Sequence, residues 1–191
     1  MLEGKLTTLR PLASDDVERF YTWINDREVI RFLGARYPMS RADEERWLTD
    51  TSSSDFQKGV TLAIDTREGR HIGNISLRAA EPEARHAVLG IMIGEKDCWS
   101  NGYGRDAIAA LLRFAFGEMN LHRVSLHAFA FNERAIACYT RCGFQIEGRL
   151  RDHRYSDGRY WDVVAMAVLR DEFEALEQAW RAAGAVETGA P

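Results

Sequence analysis

The chain lacks any uninterrupted apolar run of the length a membrane span requires, and its opening residues, Met1-Leu2-Glu3-Gly4-Lys5, do not make the apolar core of a signal peptide. A cytoplasmic protein without a membrane partner is expected. Cysteine is scarce and odd in number: the three residues have no zinc-site pairing, so no metal is expected. Cys138 and Cys142 lie four apart on a predicted helix, a poor geometry for a disulfide, and read as reduced core thiols. Positive charge is neither abundant nor gathered, because 25 Lys and Arg stand against 29 Asp and Glu and are spread along the chain. The net charge of −4 gives no nucleic-acid footprint, and it suits solubility and a cationic substrate. Internal repeats and long linkers are also missing, which leaves a single domain over 1–184 and a flexible tail over 185–191.

What is present is 191 residues, 46% of them hydrophobic, enough for one sizeable core. Residues 6–12 read as a strand stopped by Pro11, and Ser14 with Asp15 and Asp16 supplies an N-cap and first-turn acids for a helix to about residue 25. A short helix follows over 28–33. Ser40 and Asp43 have the spacing of a capping box for a helix over 44–48, and the polar run 49–54 reads as a loop. Strands over 60–64 and 71–77 are joined by a hairpin at Gly69, and Pro82 marks another turn. Beyond residue 144, strands over 145–150 and 161–169 flank an Asp157-Gly158 hairpin tip, and a last helix runs over 171–183.

The organising stretch is 87–144. Residues 87–93 are apolar on both faces, as a central strand should be, with Gly90 and Gly94 marking a bulge or a close approach to the backbone. The turn Trp99-Ser100-Asn101-Gly102-Tyr103-Gly104-Arg105 opens a helix whose buried face carries Ala107, Ile108, Leu111, Leu112 and Ala115. Glycines two apart at a helix start leave backbone N–H groups free and let an anion approach closely, so the turn reads as a diphosphate cradle. A tight turn alone would also use them. Gly102-x-Gly104-x-x-Ala107, with Glu133 after the next strand, formally fits a dinucleotide fingerprint and keeps an oxidoreductase open, although residues 95–101 separate strand from glycines. A strand over 122–131 leads to Asn132, an N-cap, and to a helix carrying Tyr139 on a face with Ala135, Ile136 and Cys142.

Gly90-Ile91-Met92-Ile93-Gly94, Trp99-x-x-Gly102-Tyr103-Gly104 and the run from Asn132 through Tyr139 to Cys142-Gly143-Phe144 together resemble the GCN5-related N-acetyltransferases, and within them the RimJ/RimL-like branch. The resemblance implies an α/β fold whose central, mostly antiparallel mixed sheet has a V-shaped splay and is flanked by helices. It implies acetyl-CoA as co-substrate, a primary amine as acceptor (a protein N-terminus, a polyamine or another small amine), and direct attack in a ternary complex. The diphosphate would lie on the amides of Trp99, Ser100, Asn101, Gly102, Tyr103, Gly104 and Arg105, the pantetheine arm along Ile91, Met92 and Ile93, and Asn132 would touch the arm. Trp99 departs from the Arg or Gln that usually begins this turn.

By the same resemblance Tyr139 would protonate the departing thiolate, a role that typically contributes ~10²–10⁴-fold. His127 occupies the position, twelve residues before the tyrosine, where relatives place a carboxylate base, and it could take a proton through water. Each residue has an ordinary alternative: Tyr139 as a core aromatic, Asn132 as a cap alone, His127 as a structural histidine. Trp23, Trp47 and Phe32 could line an acceptor pocket or belong to the core, and Asp26, Glu28, Glu81 and Glu83 could border the acceptor channel or be solvated. Many family members are dimers, and the C-terminal strands are the segment that could pair in a homodimer. An acyl-CoA sensor without turnover is the alternative outside catalysis.

Overall fold

A computed structural model describes residues 1–34, 37–51, 59–81 and 83–184, the side chain of residue 80 excepted. The predicted tail over 185–191, the loop beyond residue 51 and Pro82 lie outside the described residues. The strands are β1 (Leu2–Glu3), β2 (Thr7–Pro11), β3 (Gly59–Thr66), β4 (His71–Glu81), β5 (His86–Ile93), β6 (Arg123–Phe129), β7 (Gln145–Ser156) and β8 (Arg159–Leu169). The helices are α1 (Val17–Ile24), α2 (Arg27–Ile30), α3 (Arg41–Thr51), α4 (Tyr103–Gly117), α5 (Glu133–Arg141) and α6 (Arg170–Ala182). The strands form one sheet in the order β1-β2-β3-β4-β5-β6-β8-β7.

Every neighbouring pair is antiparallel except β5 and β6, which run parallel and pair only at His86–Arg123, Ala87–Val124 and Val88–Ser125. Beyond those residues the two strands part, opening the sheet toward the end of β5. A dinucleotide fold needs successive parallel βαβ units, so this topology removes the oxidoreductase reading. Strand β5 does lie inside the sheet, and its two apolar faces serve two layers. Ala87 and Leu89 are buried in a core shared with Ile108, Leu111 and Leu112 of α4, whereas Met92 packs on a second cluster of Val17, Phe20, Trp23, Val29 and Leu48. Gly94 is explained by the second layer, because a Cβ there would stand 2.0 Å from the Trp23 ring.

Several local expectations needed correction. The helix expected from Ser14 begins with a 3-10 turn over Ser14–Asp16, and Asp16 performs the capping: its carboxylate accepts the Ala13 N–H at 2.8 Å and is gripped by Arg10 at 2.8 Å. Asp26 caps α2 by accepting the Glu28 N–H at 2.9 Å. The capping box before α3 forms as predicted, with the Asp43 N–H donating to Ser40 Oγ at 3.1 Å and the Ser40 N–H to the Asp43 carboxylate at 3.3 Å. Helix α3 then continues past residue 48 to Thr51, where a loop was expected, and the Thr49 hydroxyl folds back onto the Glu45 carbonyl. Strand β7 runs to Ser156, six residues further than its apolar content indicates, because β8 pairs with it up to the Asp157-Gly158 tip. Both tip residues have positive φ, 52° and 76°, as the Asp-Gly signal requires.

Candidate active site

The parting of β5 and β6 exposes a cavity of about 500 Å³ between β5, the turn before α4, the body of α4 and the first turns of α5. Its position follows from Gly102, which takes φ +86° as the N-cap of α4, a left-handed conformation that costs other residues roughly 1–2 kcal/mol. The N–H groups of the first helical turn have no intrahelical acceptors and head the helix dipole. A Cβ at Gly104 would meet nothing within 4 Å, so the approach to those amides is open.

Of the residues singled out in the sequence, Ile91, Met92, Ile93, Trp99, Ser100, Gly102, Gly104, Arg105, Asn132 and Tyr139 all line this cavity. Asn101 and Tyr103 do not: the Asn101 amide folds back to the Asp97 carbonyl at 2.8 Å, and Tyr103 packs against the main core. Cationic side chains surround the space, with Lys5, Arg105, Arg113, Arg134 and Arg141 among its lining, on a chain whose net charge is negative. The Arg134 guanidinium stands 4.4 Å over the Trp99 ring and Arg105 stands 5.2 Å over Trp180. Such a lining suits a polyanion laid against a helix N-terminus.

Asn132 caps α5 by accepting the Ala135 N–H at 3.3 Å, which leaves its amide N–H groups for a ligand. Tyr139, half-buried, sets its ring edge-on to Phe144 at 6.0 Å, and among the described residues its hydroxyl has no hydrogen-bond partner. Burial, aided by the neighbouring Cys138 and Cys142 thiols, pushes its phenol above the ordinary value, so it stays a proton donor at neutral pH. Cys138 lines the cavity as a free thiol held below the usual range by its contact with Cys142, while Cys142 is pushed up.

His127 is not brought to this site. Val124, Leu126 and Ala128 are buried on one face of β6, and His127 is exposed on the other, lining neither this cavity nor its neighbour. The loop acids are likewise elsewhere. Asp26 and Glu28 clasp Lys96 at 2.9 and 3.1 Å, and Glu81 and Glu83 are exposed.

A second cavity of about 330 Å³ lies on the α1–α3 face of the sheet, over Asn74 and Ser76 of β4 and Gly90 of β5. Phe20 and Trp47 wall it, and Leu33, Ile91 and Met92 line both cavities. Of the three aromatics considered from sequence, Phe32 lines the first cavity, Trp47 the second, and Trp23 is core. Sequence reasoning did not single out the charged lining residues Lys5, Asp106, Arg113 and Arg141 of the first cavity or, in the second, Glu44 of α3, 5% exposed. The signal for Glu44 was an acid on the same helix face as Trp47 and Leu48, where periodicity calls for an apolar side chain.

The chain is similar to known proteins in sequence and in fold. The spermidine N(1)-acetyltransferase of Vibrio cholerae is 28% identical over 166 residues, which cover 87% of this chain and 94% of that one. The putative ribosomal N-acetyltransferase YdaF of Bacillus subtilis is 30% identical over 175 residues, covering 87% and 93%. The crystal structure of the Vibrio cholerae spermidine N-acetyltransferase in complex with CoA and spermine superposes with a TM-score of 0.81 at 25% identity, over 88% of this chain and 98% of that one. The profile of the family described as "Acetyltransferase (GNAT) domain" matches residues 7–145, and the chain therefore belongs to the GNAT acetyltransferases and is an N-acetyltransferase of that type.

Proposed function

We propose that this N-acetyltransferase, a member of the RimJ/RimL-like branch, moves the acetyl group of acetyl-CoA onto a primary amine within a ternary complex. The observation that carries the reading is the meeting of the two cavities: Leu33, Ile91 and Met92 line both, so a donor in one and an acceptor in the other share a boundary on β5. The spermidine acetyltransferase and the putative ribosomal acetyltransferase among the relatives support an amine acceptor and the branch.

Acetyl-CoA supplies an activated acyl group as a thioester. Around it, the α4 amides with Arg105 and Arg134 hold the diphosphate, and Asn132 offers its amide to the arm. The neutral amine attacks the acyl carbon, a C–N bond forms as the C–S bond breaks, and the Tyr139 hydroxyl gives its proton to the leaving sulfur. The proton shed by the amine returns to solvent or to Tyr139 through water.

The test is thiol release from acetyl-CoA with a panel of spermidine, single amino acids, aminoglycosides and short peptides, beside calorimetric titration with CoA. Amine-dependent thiol release supports the reading. Tight CoA binding without turnover on any amine would favour an acyl-CoA sensor, and absent CoA binding would remove the cradle.

A further inference from the structure

Glu44, which lines the second cavity, has no charge of opposite sign paired with it among the described residues. Glu44 is buried on the inner face of α3, and among the described residues no cation or hydrogen-bond donor pairs with its carboxylate. The charge that acts on it is Asp43, of the same sign, and burial pushes its carboxyl above the ordinary value. Leaving a carboxylate unpaired at a position that packing would fill with an aliphatic residue costs stability, and an apolar side chain there would be cheaper. The surroundings suit an organic cation. The Phe20 and Trp47 rings meet edge-on at 5.2 Å to form an aromatic wall, and Asn74, Ser76 and Gly90, which has no side chain, line the cavity from the sheet.

We propose that this cavity receives the acceptor and that Glu44 binds a cationic nitrogen of it other than the one acetylated. The inference rests on the transferase reading above. The attacking nitrogen must be neutral when it reaches the thioester, so it cannot remain the partner of a buried carboxylate through the reaction; a second, permanently charged nitrogen can. The acceptor is accordingly a small amine with two or more cationic centres, one held at Glu44 and the other directed along Met92 and Ile91 toward the cavity that contains Tyr139. Glu44 is then a specificity residue and stands outside the bond-making step.

The experiment is calorimetric titration of the CoA-saturated protein with 1,4-diaminobutane and with n-butylamine, for the natural chain and for Glu44→Gln and Glu44→Asp, with thermal melting of each. The diamine is expected to bind the natural chain about 30-fold tighter than the monoamine, the preference to collapse in Glu44→Gln with CoA affinity unchanged, and Glu44→Asp to recover part of it. A structural role would instead lower the melting temperature of Glu44→Gln and leave the preference intact. Equal binding of the two amines by the natural chain, or an undiminished preference in Glu44→Gln, overturns the proposal. So does a loss of kcat in Glu44→Gln with diamine affinity retained, which would make Glu44 a proton acceptor. A Glu44-dependent diamine site in a protein that never releases thiol from acetyl-CoA would refute the transferase reading and the acceptor role with it, leaving Glu44 as a diamine-binding residue only.

Discussion

The indole N–H of Trp99 donates to the carbonyl of Ile93 at 2.7 Å, bracing the turn before α4 against the last residue of β5. Ile93 lies at the free end of the splay, where β6 no longer supports the strand. The ring is itself held by Arg134 at 4.4 Å and by the edge of Phe32 at 6.1 Å. Trp99 thus fixes the shape of the cleft through its indole. Trp99→Phe keeps a ring and removes one hydrogen bond of about 1 kcal/mol, so CoA affinity should fall about 5-fold in calorimetry. Unaltered affinity would show that the brace does not shape the site.

Tyr139→Phe removes the hydroxyl and leaves the ring against Phe144. If that hydroxyl protonates the departing sulfur, kcat falls by about 10²-fold, within the usual range for a general acid, while the KM for acetyl-CoA barely moves. Because burial raises the phenol above its ordinary value of 10, deprotonation of Tyr139 should cut no limb from the kcat profile below that pH. An unchanged kcat in the variant would end the assignment.

The sequence made the neighbourhood of the cleft legible because its signals are local. Gly102, Asn132 and the Asp157-Gly158 tip each require a backbone conformation or a cap that neighbouring residues advertise, and each is found as expected. Long-range relationships were not legible: the Asp106 carboxylate contacts residues about a hundred positions away, and the Arg113–Glu177 ion pair joins α4 to α6. His127 and Glu44 show the same limit in opposite senses. A position twelve residues before a tyrosine draws attention to His127 without revealing that it faces solvent. The capping box at Ser40 and Asp43 makes Glu44 look like an ordinary first-turn acid, although the spacing to Trp47 and Leu48 turns it inward. Periodicity tells which face is buried, not which part of that face borders a cavity.

Asp106, in the first turn of α4, accepts the N–H groups of Lys5, Leu6 and Thr7 at 2.8, 3.0 and 2.9 Å and the Thr7 hydroxyl at 2.7 Å. This carboxylate pins the connection between β1 and β2 to the helix that heads the cleft. Lys5 and Leu6 in turn line the first cavity. In Asp106→Asn an amide NH₂ would face backbone donors, and hydrogen bonds to a charged acceptor would be lost. About 3 kcal/mol should disappear, a fall of roughly 10 °C in melting temperature, together with weaker CoA binding. A melting temperature within about 2 °C of the natural chain's would show that these bonds contribute little to stability.

Glu44 also predicts how stability varies with pH. Burial raises its folded-state carboxyl above the ordinary value of 4.5, so the folded state holds the proton more tightly than the unfolded state. The stability linked to that proton is fully present below about pH 4.5 and is lost as pH rises through the folded-state value. Above that folded-state value the ionised side chain is a burden that Glu44→Gln removes. The variant should melt higher than the natural chain at pH 7 in the absence of amine, with the difference vanishing at pH 4. A cationic acceptor that pairs with Glu44 should reverse the order, stabilising the natural chain and leaving the variant unmoved. A variant that melts lower at pH 7 would mean that Glu44 already has a partner in the folded chain, and the site would then have no vacancy for a ligand's charge.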